Sequence, residues 1–266
     1  MIDKDACSQR AETNETRDFE DKILFKFIFR VVVMNSGIFE PCFKNIGLIT
    51  YDFPHLKTEQ LLQHYIKIVD INFKIFALPY VERKERITLF PHRPISKDAV
   101  APEVIAEKHK IPYIKCKKDT DIDNFCDLYL ILGSGIISSK AISGKRIINC
   151  HPGIIPVCRG LDAFKWAIYN MQPLGITLHY IDEKIDAGEI ISVVTTNVYK
   201  TDSVITLARR HYENEINCMA NFIEHINFPK NPYKDIEIAE NRMRMPIEKE
   251  RELARMFEKY IEKYGQ

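Results

Sequence analysis

The residues best equipped for chemistry sit in one run, Arg146-Ile-Ile-Asn-Cys-His-Pro-Gly-Ile-Ile-Pro-Val-Cys-Arg-Gly160. Alternate side chains of a strand share a face, so a strand ending here turns Asn149 and His151 the same way and Cys150 the other. Pro152 holds His151 in extended geometry and removes a backbone donor, which ends the strand there. A second run, Gly175-Ile-Thr-Leu-His-Tyr-Ile-Asp-Glu-Lys-Ile-Asp-Ala-Gly188, presents Thr177 and His179 on one strand face. It then carries Asp182, Glu183 and Asp186 through a loop to a glycine that permits tight backbone geometry. A carboxylate beside an imidazole fixes its tautomer and stabilises its protonated form, as a base in acyl transfer requires. Each residue also has a plainer reading: Asn149 capping a turn, His151 closing a loop, the acids as solvated turn residues.

Short apolar runs alternating with helical periodicity must position these groups, which predicts an α/β fold with a Rossmann-like, mostly parallel sheet flanked by helices. The strands expected are Ile46 to Tyr51, Phe73 to Leu78, Leu128 to Leu132, Arg146 to Cys150, Gly175 to Tyr180 and Ile190 to Asn197. In such a sheet the carboxyl ends of the strands border the ligand crevice, where Asn149 and His151 would stand. Helices are expected over Thr58 to Val69, Pro102 to His109, Ser203 to Ile226 and Pro246 to Tyr264. Asp202 or Ser203 would cap the third, with Val204, Leu207, Ala208, Tyr212, Ile216, Met219, Ile223 and Ile226 inward.

The organisation expected is a leader with an extra strand at Ile23 to Met34 (1–44), a catalytic domain (45–228) and a small C-terminal helical or hairpin extension (229–266). The 266 residues are 45% apolar, and 38 Lys+Arg against 37 Asp+Glu leave a net charge of +1. That balance excludes a strongly basic nucleic-acid binder and an acidic disordered chain. No run reaches the ~18 uncharged apolar residues of a membrane helix, and the polar, acidic first twenty residues are unlike a secretory signal, so a cytoplasmic location is expected. The cysteines are seven and scattered, without a C-x-x-C pair, against a disulfide framework or a zinc knuckle. No metal site is expected. The apolar stripes of the last two helices suit a homodimer.

Asn-x-His-Pro-x-x-Ile-Pro-x-x-Arg-Gly, then Gly-x-Thr-x-His, then Ile-Asp-x-Gly resembles the formyltransferases that use 10-formyltetrahydrofolate, over roughly Asn124 to Ile226. The resemblance implies a catalytic trio of Asn149, His151 and Asp186, with 10-formyltetrahydrofolate as formyl donor. It implies that Gly133, Ser134, Gly135, Ile136 and Ile137, together with Asp182, line the folate pocket; Ser134-Gly135 stands where relatives often carry an aromatic.

Among the proteins it resembles, transfer RNA formylation is not expected, because those enzymes carry an additional C-terminal barrel and usually a different residue where His179 stands. The segment after the first strand, Asp52-Phe-Pro-His-Leu-Lys57, lacks the Gly-rich phosphate loop of the purine-pathway enzymes. With Pro91-His-Arg-Pro94 and Arg242-Met-Arg-Met-Pro246 this is most like the small sugar-nucleotide N-formyltransferases. The implied acceptor is a nucleotide-linked amino sugar, a 4-amino-4,6-dideoxy sugar by this reading. His55, Lys57 and Arg93 would contact its diphosphate as cations, with Arg159, Gly160 and His179 also on the acceptor side; for the cations a solvated surface charge, and for Arg159-Gly160 a turn after Pro156, are the alternatives. Asn149 would donate to the oxyanion formed when the amine attacks the formyl carbon, a contribution of roughly 2.7–4 kcal/mol. His151 would handle the proton and Asp186 would orient it. Transfer to glycinamide ribonucleotide, hydrolysis of the formyl-folate, and a non-catalytic folate or nucleotide-binding module are the competing functions.

Overall fold

The apolar runs pair into one sheet, and they are continuous because most strands are covered on both faces. The structure, a computed structural model, describes residues 43–82, 86–94, 98–183 and 186–266. The leader and the strand expected at Ile23 to Met34 lie outside these. The strands are β1 (Asn45–Tyr51), β2 (Asn72–Leu78), β3 (Tyr113–Lys115), β4 (Leu128–Ile131), β5 (Ile147–His151), β6 (Arg159–Gly160), β7 (Gly175–Tyr180), β8 (Ile190–Thr195) and β9 (Asn241–Arg242). The helices are α1 (Leu56–Tyr65), α2 (Pro102–His109), α3 (Ser139–Ile142), α4 (Ala163–Tyr169), α5 (Val204–Ala220), α6 (Phe222–Asn227) and α7 (Ile247–Tyr264).

Among the described residues, seven strands form the main sheet in the order β3-β2-β1-β4-β5-β7-β8. β3 through β5 run parallel, whereas β7 is antiparallel to β5 and β8 to β7. On one face Ile46, Leu48, Leu130, Ile148 and Leu178 meet Leu61 and Leu62 of α1 and Met219 of α5. On the other, Ile49, Phe76, Ile131 and Ile147 pack with Ala141 of α3. β1 connects through α1 to β2 on one side and has β4 on the other, so the crevice opens outside the carboxyl ends of β1 and β4.

Several boundaries differ from expectation. α1 stops at Tyr65, short of the expected end at Val69, which is 89% exposed where the chain turns toward β2. Ser203 does cap α5, accepting the Thr206 N–H at 3.1 Å, while Asp202 grips Arg210 at 2.7 and 2.8 Å. The expected single helix breaks at Asn221 into α5 and α6. The fully buried face of α5 includes His211 and Glu215, which apolar periodicity alone passed over, while Val204 and Ile216 are half-buried.

The stripe on α7, Leu253, Phe257 and Tyr260, packs against Phe164 and Ala167 of α4. Lys165 Nζ meets Glu250 Oε1 at 2.6 Å in the same contact. That stripe is therefore spent within the chain and supplies no dimer face. Nor does the C-terminal region make its own hairpin: β9 pairs in parallel with β6, drawing Asn241–Arg242 to the rim of the crevice. Among the described residues no helix is long and apolar enough to cross a membrane.

Candidate active site

Antiparallel register between β5 and β7 sets Asn149 opposite His179 and His151 opposite Thr177, which joins the two motifs. Thr177 is fully buried; its hydroxyl donates to the Gly153 carbonyl at 2.7 Å and accepts the Ile155 N–H at 3.0 Å. The turn so clamped brings the Cys158 carbonyl to 3.0 Å from His151 Nε2. A carbonyl only accepts, so Nε2 carries a hydrogen. His151 Nδ1 faces Asp186 Oδ2 at 3.4 Å.

Asp186 has φ +48°, a left-handed conformation that Asp tolerates better than most residues. Its Oδ2 accepts the Gly160 N–H at 3.0 Å and its carbonyl accepts from Arg159 Nε at 2.7 Å. Amide, imidazole and carboxylate thus converge from β5 and the β7–β8 loop. His179 completes the array from behind. Burial, reinforced by His151 beside it, pushes its pKa down to about 4, so the ring is neutral at pH 7. Its Nδ1 faces the Tyr180 carbonyl at 3.0 Å and must donate, which leaves Nε2 to accept from the Asn149 side-chain nitrogen at 3.4 Å. One Asn149 N–H is held this way, and the second remains for the cavity.

The cavity beside these groups has a volume of about 670 Å³. Asn149, His151, Asp182 and Asp186 line it, as do Gly133, Ser134, Gly135, Ile136 and Ile137, where Ile136 is 80% exposed. His179 does not reach it, being fully buried. Its expected place on the acceptor side is corrected: it braces Asn149 and stands 3.8 Å from Asp186 Oδ1. Burial pushes the Cys150 thiol well above its usual range, which leaves it protonated. A second hollow of about 460 Å³, near Arg146, Tyr180 and Ile191, holds the single carboxylate of Glu189 and no imidazole.

Residues 127–223, which hold this whole array, match the formyl transferase family. That match is confined to this segment, over which the chain is similar to the formyl transferases. Phosphoribosylglycinamide formyltransferase of Bacillus subtilis is 36% identical over 73 residues, 27% of this chain and 37% of that protein. Methionyl-tRNA formyltransferase of Halalkalibacterium halodurans is 28% identical over 164 positions, covering 53% of this chain and 52% of that protein. The chain thus spans about half the length, or less, of these curated relatives. A 4-N formyltransferase structure from Francisella tularensis superposes with a TM-score of 0.52 at 19% identity, covering 82% of this chain and 88% of that one; this likeness is one of fold.

The cavity is also lined from α1, residues 92–94 and α5. Lys57 and Arg93 both line it, and both are paired: Lys57 Nζ at 2.7 Å and Arg93 at 2.6 Å from the two oxygens of Glu215. Burial alone would push that carboxyl up, but Arg93 and Lys57 hold it down at about 2. His55 also lines the cavity, yet burial and then Lys57 push its pKa to about 4. Its assignment as a cation is corrected accordingly; it is a neutral ring bonded through Nδ1 to Thr58 at 3.0 Å.

Arg159 and Gly160 build the rim. Arg159 also donates to the Ala239 carbonyl at 2.8 Å, and Gly160, at φ +87°, abuts Asn241 and Arg242 so closely that no side chain would fit. Trp166 anchors α4, and its indole donates to the Met243 carbonyl at 2.8 Å with the Arg242 guanidinium 4.8 Å from the ring. The tail segment Asn241, Arg242, Met243 and Arg244 thus becomes cavity wall. Sequence reasoning missed Glu215 and this wall; the spacing of Glu215 from Leu207 and His211, in steps of four, was the available signal.

Proposed function

We propose that this chain moves a formyl group from 10-formyltetrahydrofolate to the amine of a nucleotide-linked amino sugar, a 4-amino-4,6-dideoxy sugar in the reading its sequence favours. The observation that carries the proposal is the convergence of Asn149, His151 and Asp186 at one edge of the cavity. The folate side fits the residues present. Gly135 has open space where a Cβ would stand, Ile136 offers exposed apolar surface, and Asp182 lines the same wall as a carboxylate able to accept from a pterin edge. Bound there, the formyl-folate supplies an electrophilic carbonyl carbon.

The chain's own residues do the remainder. Asn149, its amide oriented by His179, turns an N–H toward the oxygen that gains charge. His151 Nδ1 is the position where a proton can be taken up, 3.4 Å from the Asp186 carboxylate that orients the ring. An amine acceptor attacks directly, so neither Cys150 nor Ser134 is needed as a nucleophile. Lys57 and Arg93 stand where an anionic acceptor group would lie.

The test is incubation with 10-formyltetrahydrofolate and a panel of amino-sugar nucleotides and phosphoribosylglycinamide, with mass analysis for an added formyl group. Phosphoribosylglycinamide belongs in the panel because the protein that acts on it is 36% identical over 73 residues. Formate release without any acceptor would instead mark a hydrolase. Asn149→Ala and His151→Ala should each lower kcat by about 10²–10³-fold; near-normal transfer by His151→Ala removes its assigned role.

A further inference from the structure

Two aromatic side chains beside the cavity are left out of the core. Phe53 is 47% exposed and Tyr80 is 41% exposed, although they follow the buried strands β1 and β2 at the edge where the crevice opens. Their rings are stacked, with centroids 4.3 Å apart and planes 13° from parallel. Tyr80 meets the edge of Tyr51 at 5.3 Å, and Tyr51 in turn meets His55 at 5.8 Å. Tyr51, His55, Lys57 and Arg93 all line the cavity. An aromatic path therefore runs without a break from the exposed stack to the cationic wall.

The stack is also held in place before any ligand arrives. Asp52, next to Phe53, donates its N–H to the Leu78 carbonyl at 2.7 Å and accepts the Tyr113 hydroxyl at 2.7 Å, with Lys115 at 3.7 Å. Pro54 restricts the other flank. Exposed aromatic faces on a fixed backbone bind flat rings with little ordering cost. The cationic wall beyond Tyr51 sets two cations, Lys57 and Arg93, against one carboxylate, Glu215, and so keeps one net positive charge.

We propose that Phe53 and Tyr80, backed by Tyr51, form a stacking platform for the nucleobase of the acceptor, with its diphosphate directed toward Lys57 and Arg93. This rests on the proposed transfer to a nucleotide-linked acceptor and sharpens it, because phosphoribosylglycinamide carries a phosphate but no base. A nucleoside diphosphate has both parts, a flat ring and an anion, in the order in which the wall presents their partners.

Calorimetric titration of the full chain with UDP, dTDP and inorganic pyrophosphate tests the platform. Wild type should bind UDP or dTDP at least about tenfold more tightly than pyrophosphate, a factor within the range one stacked base contributes. Phe53→Ser/Tyr80→Ser should erase that preference and leave pyrophosphate affinity unchanged. The two single Ser variants are titrated alongside, each expected to lose part of the preference, so misfolding of the double variant does not remove the test.

Equal affinity of wild type for nucleoside diphosphates and pyrophosphate overturns the platform, as does a variant set that keeps the preference. Self-association that Phe53→Ser/Tyr80→Ser abolishes, without a nucleoside preference, overturns it in favour of a contact between copies. The acceptor panel separates the two proposals. Formylation of phosphoribosylglycinamide with a KM the double variant leaves unmoved, and of no sugar nucleotide, overturns the platform and keeps formyl transfer. A preference for UDP or dTDP lost in the variants, with no formyl transfer to any acceptor, upholds the platform and overturns the proposed activity.

Discussion

Glu215 Oε1 holds the Lys57 ammonium at 2.7 Å from a position on α5 that is only 2% exposed. The second oxygen holds Arg93 at 2.6 Å, so one carboxylate ties α5 to α1 and to residues 91–94. Removing one partner of a buried pair leaves charge without compensation. Glu215→Ala is expected to cost about 3 kcal/mol, the lower end of the range for such pairs, since Arg93 can turn partly to solvent. Glu215→Gln, which keeps hydrogen-bonding capacity, should cost less. Urea denaturation of both variants checks the order; equal stability of wild type and Glu215→Ala would show the pair to be inert.

Gly153 lies in the turn after β5, packed against His151 and Cys158. A Cβ there would stand 2.6 Å from the Cys158 carbonyl oxygen, 2.8 Å from His151 Nε2 and 2.9 Å from the Ala163 Cβ. Backbone and a clamped ring cannot give way cheaply. Gly153→Ala should therefore destabilise by about 1–3 kcal/mol, and it should also push His151 off its alignment with Asp186. The expected result is a fall in kcat measured at a temperature where the variant is still fully folded. Wild-type kcat in that variant would mean that the ring's position at Cys158 does not matter to turnover.

Acid stability should follow the buried histidines. Burial pushes His55, His179 and His211 down to about 4 and His92 to about 3, against an unfolded value near 6.5. Between these limits the unfolded chain binds more protons than the native one, so stability rises with pH and is lost as pH falls from about 6.5 toward 4. Each ring contributes up to about 1.4 kcal/mol per pH unit inside that window. Glu215, held at about 2, has the same sign but acts lower, its contribution being lost as pH falls from about 4.5 to 2. Thermal melts at half-unit pH steps should thus show Tm declining well above the ordinary carboxylate range. A flat Tm from pH 7 to 5 would contradict the neutral, buried state of these rings.

The strands that hold the candidate site residues were legible because each combines an apolar run with a strong end signal. Ile147 to His151 is stopped by Pro152, and the alternation of Asn149 and His151 across Cys150 follows from the pleat alone. β3, with three residues, has too little length for a pattern. β6 and β9, with two residues each, exist only because residues 159–160 and 241–242 meet in space. Glu215 and His211 were passed over for a different reason. Counting only apolar residues discards polar ones at helix-face spacing, and Glu215 is buried only because Lys57 and Arg93, far away in the chain, neutralise it. Asn149, His151 and Asp186 could be singled out from their motifs, but the brace of His179 behind Asn149 could not, since the burial of His179 depends on the pairing of β5 with β7.

That brace leads to the last prediction. His179 is sealed from the cavity and touches Asn149 at 3.4 Å, so its effect on the reaction passes through the orientation of the Asn149 amide. His179→Leu removes the acceptor for one Asn149 N–H and leaves the Tyr180 carbonyl without its donor. The amide can then rotate, and misplacement by about 1 Å costs up to about 10²-fold in rate. The expected signature is a fall in kcat of about 10- to 100-fold with the acceptor KM unchanged, because no contact to the acceptor is lost. His179→Gln, whose side-chain carbonyl can accept from Asn149, should recover part of the rate. A raised KM with kcat intact would instead place His179 against the acceptor, and would mean that the cavity reaches deeper between β5 and β7 than the closed packing of Asn149 on His179 allows.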